Sequence, residues 1–232
     1  MRILITGSRK GIGRYLAEKF LERGHVVFGC SRSECDLTHD LYHHSECDVS
    51  DERAVIKLVR TIGKSHGGIE VLINNAGVAS MNHILSTPGS TARRLMETNF
   101  IGTTLFCREV AKLMVRKKIR GKMINFSTVA SALSLEGEAT YAASKAAVQK
   151  FSQVAAKEFA PFGITVNCIG PTPVETDLIK AVPKNKIDLL MDSQAIKRLG
   201  TKQDILNVVD FFMAESSEFI TAQTIYLGGV FD

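Results

Sequence analysis

Tyr141 and Lys145 stand four residues apart in the run Thr140-Tyr141-Ala142-Ala143-Ser144-Lys145. On a helix that spacing puts both side chains on one face. An ammonium beside a phenol favours the phenolate, so the pair predicts a tyrosine drawn below its reference pKa of about 10. Such a phenol can give or take a proton near neutral pH. A second run opens the chain, Thr6-Gly7-Ser8-Arg9-Lys10-Gly11-Ile12-Gly13. There Gly7 permits a tight turn, Gly11 lets the backbone approach a pyrophosphate, and Gly13 lets the following helix pack closely. That helix offers its N-terminus to phosphate. A dinucleotide site and a tuned proton donor together imply hydride transfer to or from a carbonyl.

Positioning these residues requires an alternation of strand and helix, and the sequence supplies it. Apolar runs at Arg2 to Thr6, Val26 to Cys30, Ile69 to Asn74, Lys122 to Ser127, Ile164 to Ile169 and Gln223 to Leu227 read as strands. Helices are predicted over Gly11 to Arg23, from an N-cap at Ser50 to about Ser65, over Thr91 to Lys118, from Tyr141 towards Phe159, and from a capping box at Thr201 to Asp204. Apolar strands flanked by helices predict an α/β fold: a Rossmann-type doubly wound parallel sheet of about seven strands with helices on both faces. No repeat or linker interrupts it, and one domain over 1–232 is expected.

Composition narrows the partners. With 45% hydrophobic and 23% charged residues and no tryptophan, the chain reads as an ordinary globular enzyme. No apolar run approaches the roughly 20 residues that span a bilayer, and a strand starting at Arg2 leaves no room for a signal peptide. Five cysteines, odd in number and widely spaced, fit reduced thiols in a cytoplasm. A net charge of +5 is too mild for a nucleic-acid stripe. Seven basic residues nevertheless fall between Arg108 and Lys122 against one acid, Glu109. They read as a solvated helix end or as a dock for an acidic partner such as a phosphopantetheine-bearing carrier protein. Cys35, His39, His43, His44 and Cys47 cluster before Asp48 in a stretch short for a crossover helix and expected to be a turn or loop. Their spacing matches no tight metal pairing, and a strand carrying Asp48 would turn Cys47 away; they are read as loop residues, with no metal.

The glycine spacing TGxxxGxG resembles the single-domain branch of the short-chain dehydrogenase/reductase family. Asn74-Asn75-Ala76-Gly77, Asp48 in Cys47-Asp48-Val49, Asn99 in Asn99-Phe100-Ile101-Gly102, Tyr141 with Lys145, and Lys197-Arg198-Leu199-Gly200 extend the resemblance over essentially the whole chain. It implies that Tyr141 protonates a carbonyl oxygen, that Lys145 lowers the tyrosine pKa and binds a nicotinamide ribose, and that Asn99 holds a relaying water. It also implies that Gly7, Arg9, Lys10, Gly11, Ile12, Gly13, Asp48, Val49, Asn75, Ala76, Gly77, Tyr141 and Lys145 contact the cofactor, Asp48 at adenine.

Where an NAD-dependent relative would carry an acid at the end of the second strand, this chain has Ser31 followed by Arg32. With Lys10 and Arg9 nearby, cations and no carboxylate suit a 2′-phosphate, so NADP(H) is expected. The family's serine, thirteen residues before the tyrosine, falls here on Thr128. Its hydroxyl can still donate, whereas Ser127 is expected to point to the other face. After the sixth strand the family's Pro-Gly becomes Gly170-Pro171-Thr172-Pro173, with Thr176 matching the residue near the nicotinamide carboxamide and a short substrate loop from Leu178 to Ile196. The pattern is most similar to 3-oxoacyl-carrier-protein reductases. A short-chain dehydrogenase acting on a sugar or on a small ketone or alcohol, and a non-catalytic dinucleotide-binding sensor or assembly protein, are the alternatives. Small residues Ala142, Ala143, Ala146 and Ala147 on the tyrosine helix suggest a homodimer or homotetramer.

Overall fold

The computed structural model describes residues 1–174 and 184–231, except for the side chains of residues 184 and 185. Among the described residues seven strands form one sheet: β1 Arg2–Thr6, β2 Val26–Ser31, β3 Tyr42–Glu46, β4 Val71–Asn74, β5 Lys122–Phe126, β6 Thr165–Gly170 and β7 Thr224–Tyr226. All are parallel, in the order β3-β2-β1-β4-β5-β6-β7. The strand order reverses at β1, since β2 and β3 lie on one side and β4 onwards on the other. A crevice therefore opens at the carboxyl ends of β1 and β4, where such sheets bind ligands.

The helices are α1 Gly11–Glu22, α2 Glu52–Ser65, α3 Gly89–Leu95, α4 Gly102–Lys117, α5 Ala130–Leu133, α6 Ala139–Phe159, α7 Lys184–Ser193 and α8 Lys202–Met213. They cover both faces because strand side chains alternate. Leu4 of β1 packs into a core with Leu58 of α2, Leu105 and Phe106 of α4 and Ala155 of α6. Its neighbours Ile3 and Ile5 join Leu16 and Phe20 of α1 and Ile205 and Phe212 of α8 on the opposite face. β6 is buried at every position, as expected of a central strand covered on both sides.

Several boundaries differ from the sequence reading for identifiable reasons. The stretch expected to be a turn or loop holds β3, an edge strand of sequence YHHSE whose polar residues hide its β character. It ends at Glu46, so Cys47 and Asp48 follow the strand instead of lying within it. The N-cap of α2 is Asp51, whose carboxylate accepts from the backbone N–H groups of Arg53 (2.9 Å) and Ala54 (3.2 Å). Ser50 donates to Asp48 Oδ1 instead, at 2.7 Å. The single long helix predicted over Thr91 to Lys118 is interrupted by a π-helical turn at Met96–Ile101, centred on Asn99. At Thr201 the capping box forms as read: its hydroxyl accepts from the Asp204 N–H while the Asp204 carboxylate accepts from the Thr201 N–H.

Candidate active site

The glycine turn is pinned across the crevice. Gly7 and Gly11 adopt φ of 70° and 63°, a left-handed backbone that glycine occupies freely. Asn75, just past β4, donates its side-chain amide to Thr6 O (2.9 Å) and Gly7 O (3.2 Å), and Ala76 N donates to Thr6 Oγ1 (3.0 Å). Gly7 N donates to Cys30 O of β2 at 2.8 Å. Gly13 lies behind the turn, where a Cβ would strike Gly7 O and the Asn75 amide. A cleft of about 340 Å³ opens over these atoms, lined by Gly7, Arg9, Lys10, Gly11, Ile12, Ser31, Arg32, Asp48, Val49, Asn75, Ala76 and Gly77. The Asp48 carboxyl is pushed up by burial, but bonds from Ser50 and the charge of Arg32 outweigh this and hold it below the usual range.

A second cavity of about 510 Å³ continues from the cleft, sharing Ile12, Asn75, Gly77 and Val78 with it. Thr128, Tyr141, Lys145 and Pro171 line it, with apolar walls from Met81, Leu133, Leu135, Leu189 and Leu190. Asn99 lines neither space. It stands behind Gly77, its amide donating to Val78 O (2.9 Å) and Ser144 Oγ (3.0 Å) and its carbonyl accepting from Val78 N (2.8 Å). A Cβ on Gly77 would sit 3.3 Å from both Asn99 Oδ1 and Lys145 Nζ, so the bare glycine leaves room for both side chains. Thr176 lies outside the described residues.

The tyrosine–lysine pair departs from the sequence reading. Lys145 is buried and its ammonium donates to Phe126 O of β5 at 2.7 Å; burial pushes its pKa down to about 8. Tyr141 is pushed up to about 12, first by burial, with the nearby Thr128 hydroxyl pulling back and the Glu138 carboxylate adding to the rise. The expected depression by Lys145 is absent because the ammonium reaches a strand carbonyl while desolvation acts on both groups. β5 ends at Phe126, so Ser127 and Thr128 both follow the strand and both line this cavity; Thr128 lies near the phenol, and Ser127 Oγ lies 3.5 Å from Lys145 O and Ser131 Oγ. Three charged residues that line the cavity, Glu136, Glu138 and Lys186, are absent from the sequence reading. Glu138 stands one turn before Tyr141, its carboxyl half-buried and raised by desolvation; the i, i+3 spacing could have revealed it.

This arrangement fits a dinucleotide. A turn with glycine at both bends exposes backbone N–H groups at the start of α1, and Arg9, Lys10 and Arg32 border the same cleft. Apolar walls around a phenol then leave room for a carbonyl compound at the far end. Comparison with known proteins points the same way. A family model described as enoyl-(acyl carrier protein) reductase matches residues 7–230. The 3-oxoacyl-[acyl-carrier-protein] reductase FabG of Vibrio cholerae is 30% identical, the alignment covering 97% of this chain and 95% of that protein. Among solved structures, ElxO with NADP bound superposes with a TM-score of 0.89 at 27% identity, over 97% of this chain and 96% of that one. A 4-hydroxyisoleucine dehydrogenase complexed with NADH gives a TM-score of 0.91 at 25% identity, over 98% and 97%.

The depressed Lys145 pKa has a consequence for stability. Its folded value, about 8, lies below the unfolded 10.5, so between those values the unfolded chain binds more protons and stability rises with pH. Tyr141, raised above its unfolded value of 10, opposes this only above about pH 10. Lys145→Met removes the first effect and leaves the other titrations in place. Urea unfolding of both proteins from pH 7 to 10.5 is expected to show wild type gaining on the variant by about 3 kcal/mol. A constant difference across that range would exclude a depressed lysine.

Proposed function

The chain belongs to the short-chain dehydrogenase/reductase family, and on that premise we propose that it is an NADPH-dependent reductase converting a carbonyl to a hydroxyl, with a 3-oxoacyl thioester carried on an acyl carrier protein as substrate. The observation that carries the reading is the Tyr141 phenol, beside Thr128 and Lys145, in a cavity continuous with a cation-bordered cleft. The glycine turn with Ile12 and Gly13 would hold the pyrophosphate, Asp48 and Val49 the adenine, Asn75, Ala76, Gly77 and Pro171 the nicotinamide half, and Lys145 its ribose. Thr176 is proposed at the carboxamide from sequence alone. When bound, NADPH supplies the hydride. Tyr141 delivers the proton to the substrate oxygen, and Thr128 donates a hydrogen bond to that oxygen and fixes its place. A cationic ligand beside Lys145 is unfavourable and an oxygen-rich one favourable, so its ammonium suits ribose hydroxyls. Asn99 is proposed to steady the proton path by fixing Val78 and Ser144 around it.

The acyl carrier is supported by the names of the relatives and by the apolar cavity walls. The basic end of α4 adds little, since Arg116 and Lys117 stand roughly 26 Å along the helical run from Asn99, towards the amino end of β4. Glu138, in the same cavity as Tyr141, favours a second reading in which the substrate carries a hydroxyl, as a sugar does. The unpaired cysteines suit a reducing compartment such as the cytoplasm. Turnover of a short 3-oxoacyl thioester with NADPH is expected, falling by about three orders of magnitude in Tyr141→Phe. Thr128→Val should lose far more activity than Ser127→Ala. No turnover of the thioester, with sugars or ketones reduced instead, would move the substrate to the second reading.

NADPH rather than NADH is proposed because Ser31 occupies the place of a repelling acid and Arg32, Arg9 and Lys10 border the cleft. Ser31→Asp combined with Arg32→Ala is expected to reverse the preference in kcat/KM; an unchanged ratio rejects the assignment. A homodimer or homotetramer is proposed on the face where Ala142, Ala143, Ala146 and Ala147 remain at least partly exposed on α6. Ile101 and Val154 are 41% and 49% exposed, and Phe100 and Phe151 meet edge to face on the π turn and α6. Light scattering is expected to give twice or four times the chain mass of 25.4 kDa, and monomer alone rejects the interface.

A further inference from the structure

Beside the cofactor cleft a polar chain links the turns after β1 and β2 through side chains of β3. Ser8 of the glycine turn lies 3.0 Å from Tyr42 OH, and Tyr42 OH lies 3.1 Å from His44 Nδ1. On the other side of the ring, His44 Nε2 is 3.1 Å from both Ser31 Oγ and Ser33 O. Ser31 closes the turn by donating to Ser33 O at 2.6 Å. Ser8 and Tyr42 are buried, and His44 is half-buried on the edge strand β3.

The proton positions follow from the inventory of donors. Ser33 O can only accept, so Nε2 carries a hydrogen and gives it to that carbonyl. In the neutral ring Nδ1 is then an acceptor and takes the Tyr42 hydroxyl hydrogen, which leaves Ser8 to donate to the Tyr42 oxygen. Cys35 Sγ, 3.8 Å from the same hydroxyl, is the weaker acceptor. The chain thus runs in one direction, from the glycine turn to the turn at Ser31 to Ser33. Room for it is made by Gly29 of β2, where a Cβ would collide with both Tyr42 OH and Ser8 Oγ.

Arg32 is the middle residue of the turn that His44 holds, and it borders the cleft. We infer that Tyr42 and His44 are positioning residues for cofactor choice: they tie the pyrophosphate turn to the Ser31–Ser33 turn and so set Arg32 where a ribose 2′-phosphate would lie. Neither residue touches the cofactor in this assignment. The inference rests on the proposed NADPH preference, because only a ligand bearing that phosphate reads the position of Arg32, whereas NADH uses the rest of the cleft alone.

Fluorescence titration of NADPH and NADH against wild type, Tyr42→Phe, His44→Ala and the double variant tests this. Tyr42→Phe keeps the buried ring, so a folded variant is available even if His44→Ala unfolds. NADPH dissociation constants are expected to rise about tenfold in each single variant, the loss of one or two hydrogen bonds' worth of placement. NADH constants should stay within about twofold, and the double variant should be no weaker than the weaker single, since both break one chain. In turnover the loss falls on KM for NADPH and not on kcat, and His44→Gln, which restores a donor towards Ser33 O, regains most of it. Equal losses for both cofactors, or additive losses in the double variant, overturn the inference and leave the NADPH assignment standing. Wild type binding NADPH no tighter than NADH overturns that assignment and the inference with it.

Discussion

Tyr141 and Lys145 can meet one carbonyl only if α6 is held at a fixed height over the sheet, and a buried chain of amides sets that height. Asn74 of β4 donates to Asn125 Oδ1 of β5 at 2.8 Å, and Asn125 donates to Ser152 Oγ of α6 at 2.8 Å. Ser152 then donates to Val148 O within the helix. All three side chains are buried, where an unmade bond costs about 1–3 kcal/mol, so sliding α6 along β5 by one residue is strongly disfavoured. The same helix position brings Lys145 to Phe126 O and Ser144 to Asn99. The site's geometry is thus inherited from a polar seam that itself touches no ligand.

The site's charge is tolerated through a different contact, the bond from Lys145 to Phe126 O. A buried ammonium is costly, and the pKa of about 8 measures how far the surroundings favour the neutral amine. A single strand carbonyl offsets part of that cost; the rest is borne by the surrounding fold. Strain of this kind at a site, supported by well-packed cores on both faces of the sheet, is the usual relation between activity and stability. Burial acts on the phenol in the same way, its rise to about 12 keeping it protonated at neutral pH and making it a weaker acid than a free tyrosine.

The sequence revealed the parts whose physics is local. Gly7, Gly11 and Gly13 declare a turn, Thr201 and Asp204 a cap, and the apolar runs a buried parallel sheet, because each pattern depends on neighbours within a few residues. Counting back from Tyr141 singles out Thr128, but strand alternation does not separate it from Ser127, because β5 stops at Phe126 and both residues line the cavity. What stayed hidden depends on distant partners. The π turn at Asn99 has no signature in Met96-Glu97-Thr98-Asn99-Phe100-Ile101, and it exists where Asn99 meets Val78 and Ser144. The direction of the Tyr141 shift was misread because spacing reports adjacency to Lys145 but not burial, and burial outweighed adjacency here.

The hidden third strand follows the same logic from the other side. Edge strands have only one pairing neighbour and can carry polar residues, so YHHSE lacks the apolar run by which central strands are read. Yet the polar residues are not arbitrary. Tyr42 points into the fold and meets Ser8, His43 turns outward onto Phe28 at 5.5 Å between ring centroids, and His44 returns to the Tyr42 side. The alternation of a strand is fully present, written in hydrogen-bonding side chains instead of aliphatic ones. A pattern search keyed to hydrophobicity passes over this strand, because its inward positions carry Tyr42 and His44, whose polar atoms bond each other and Ser8.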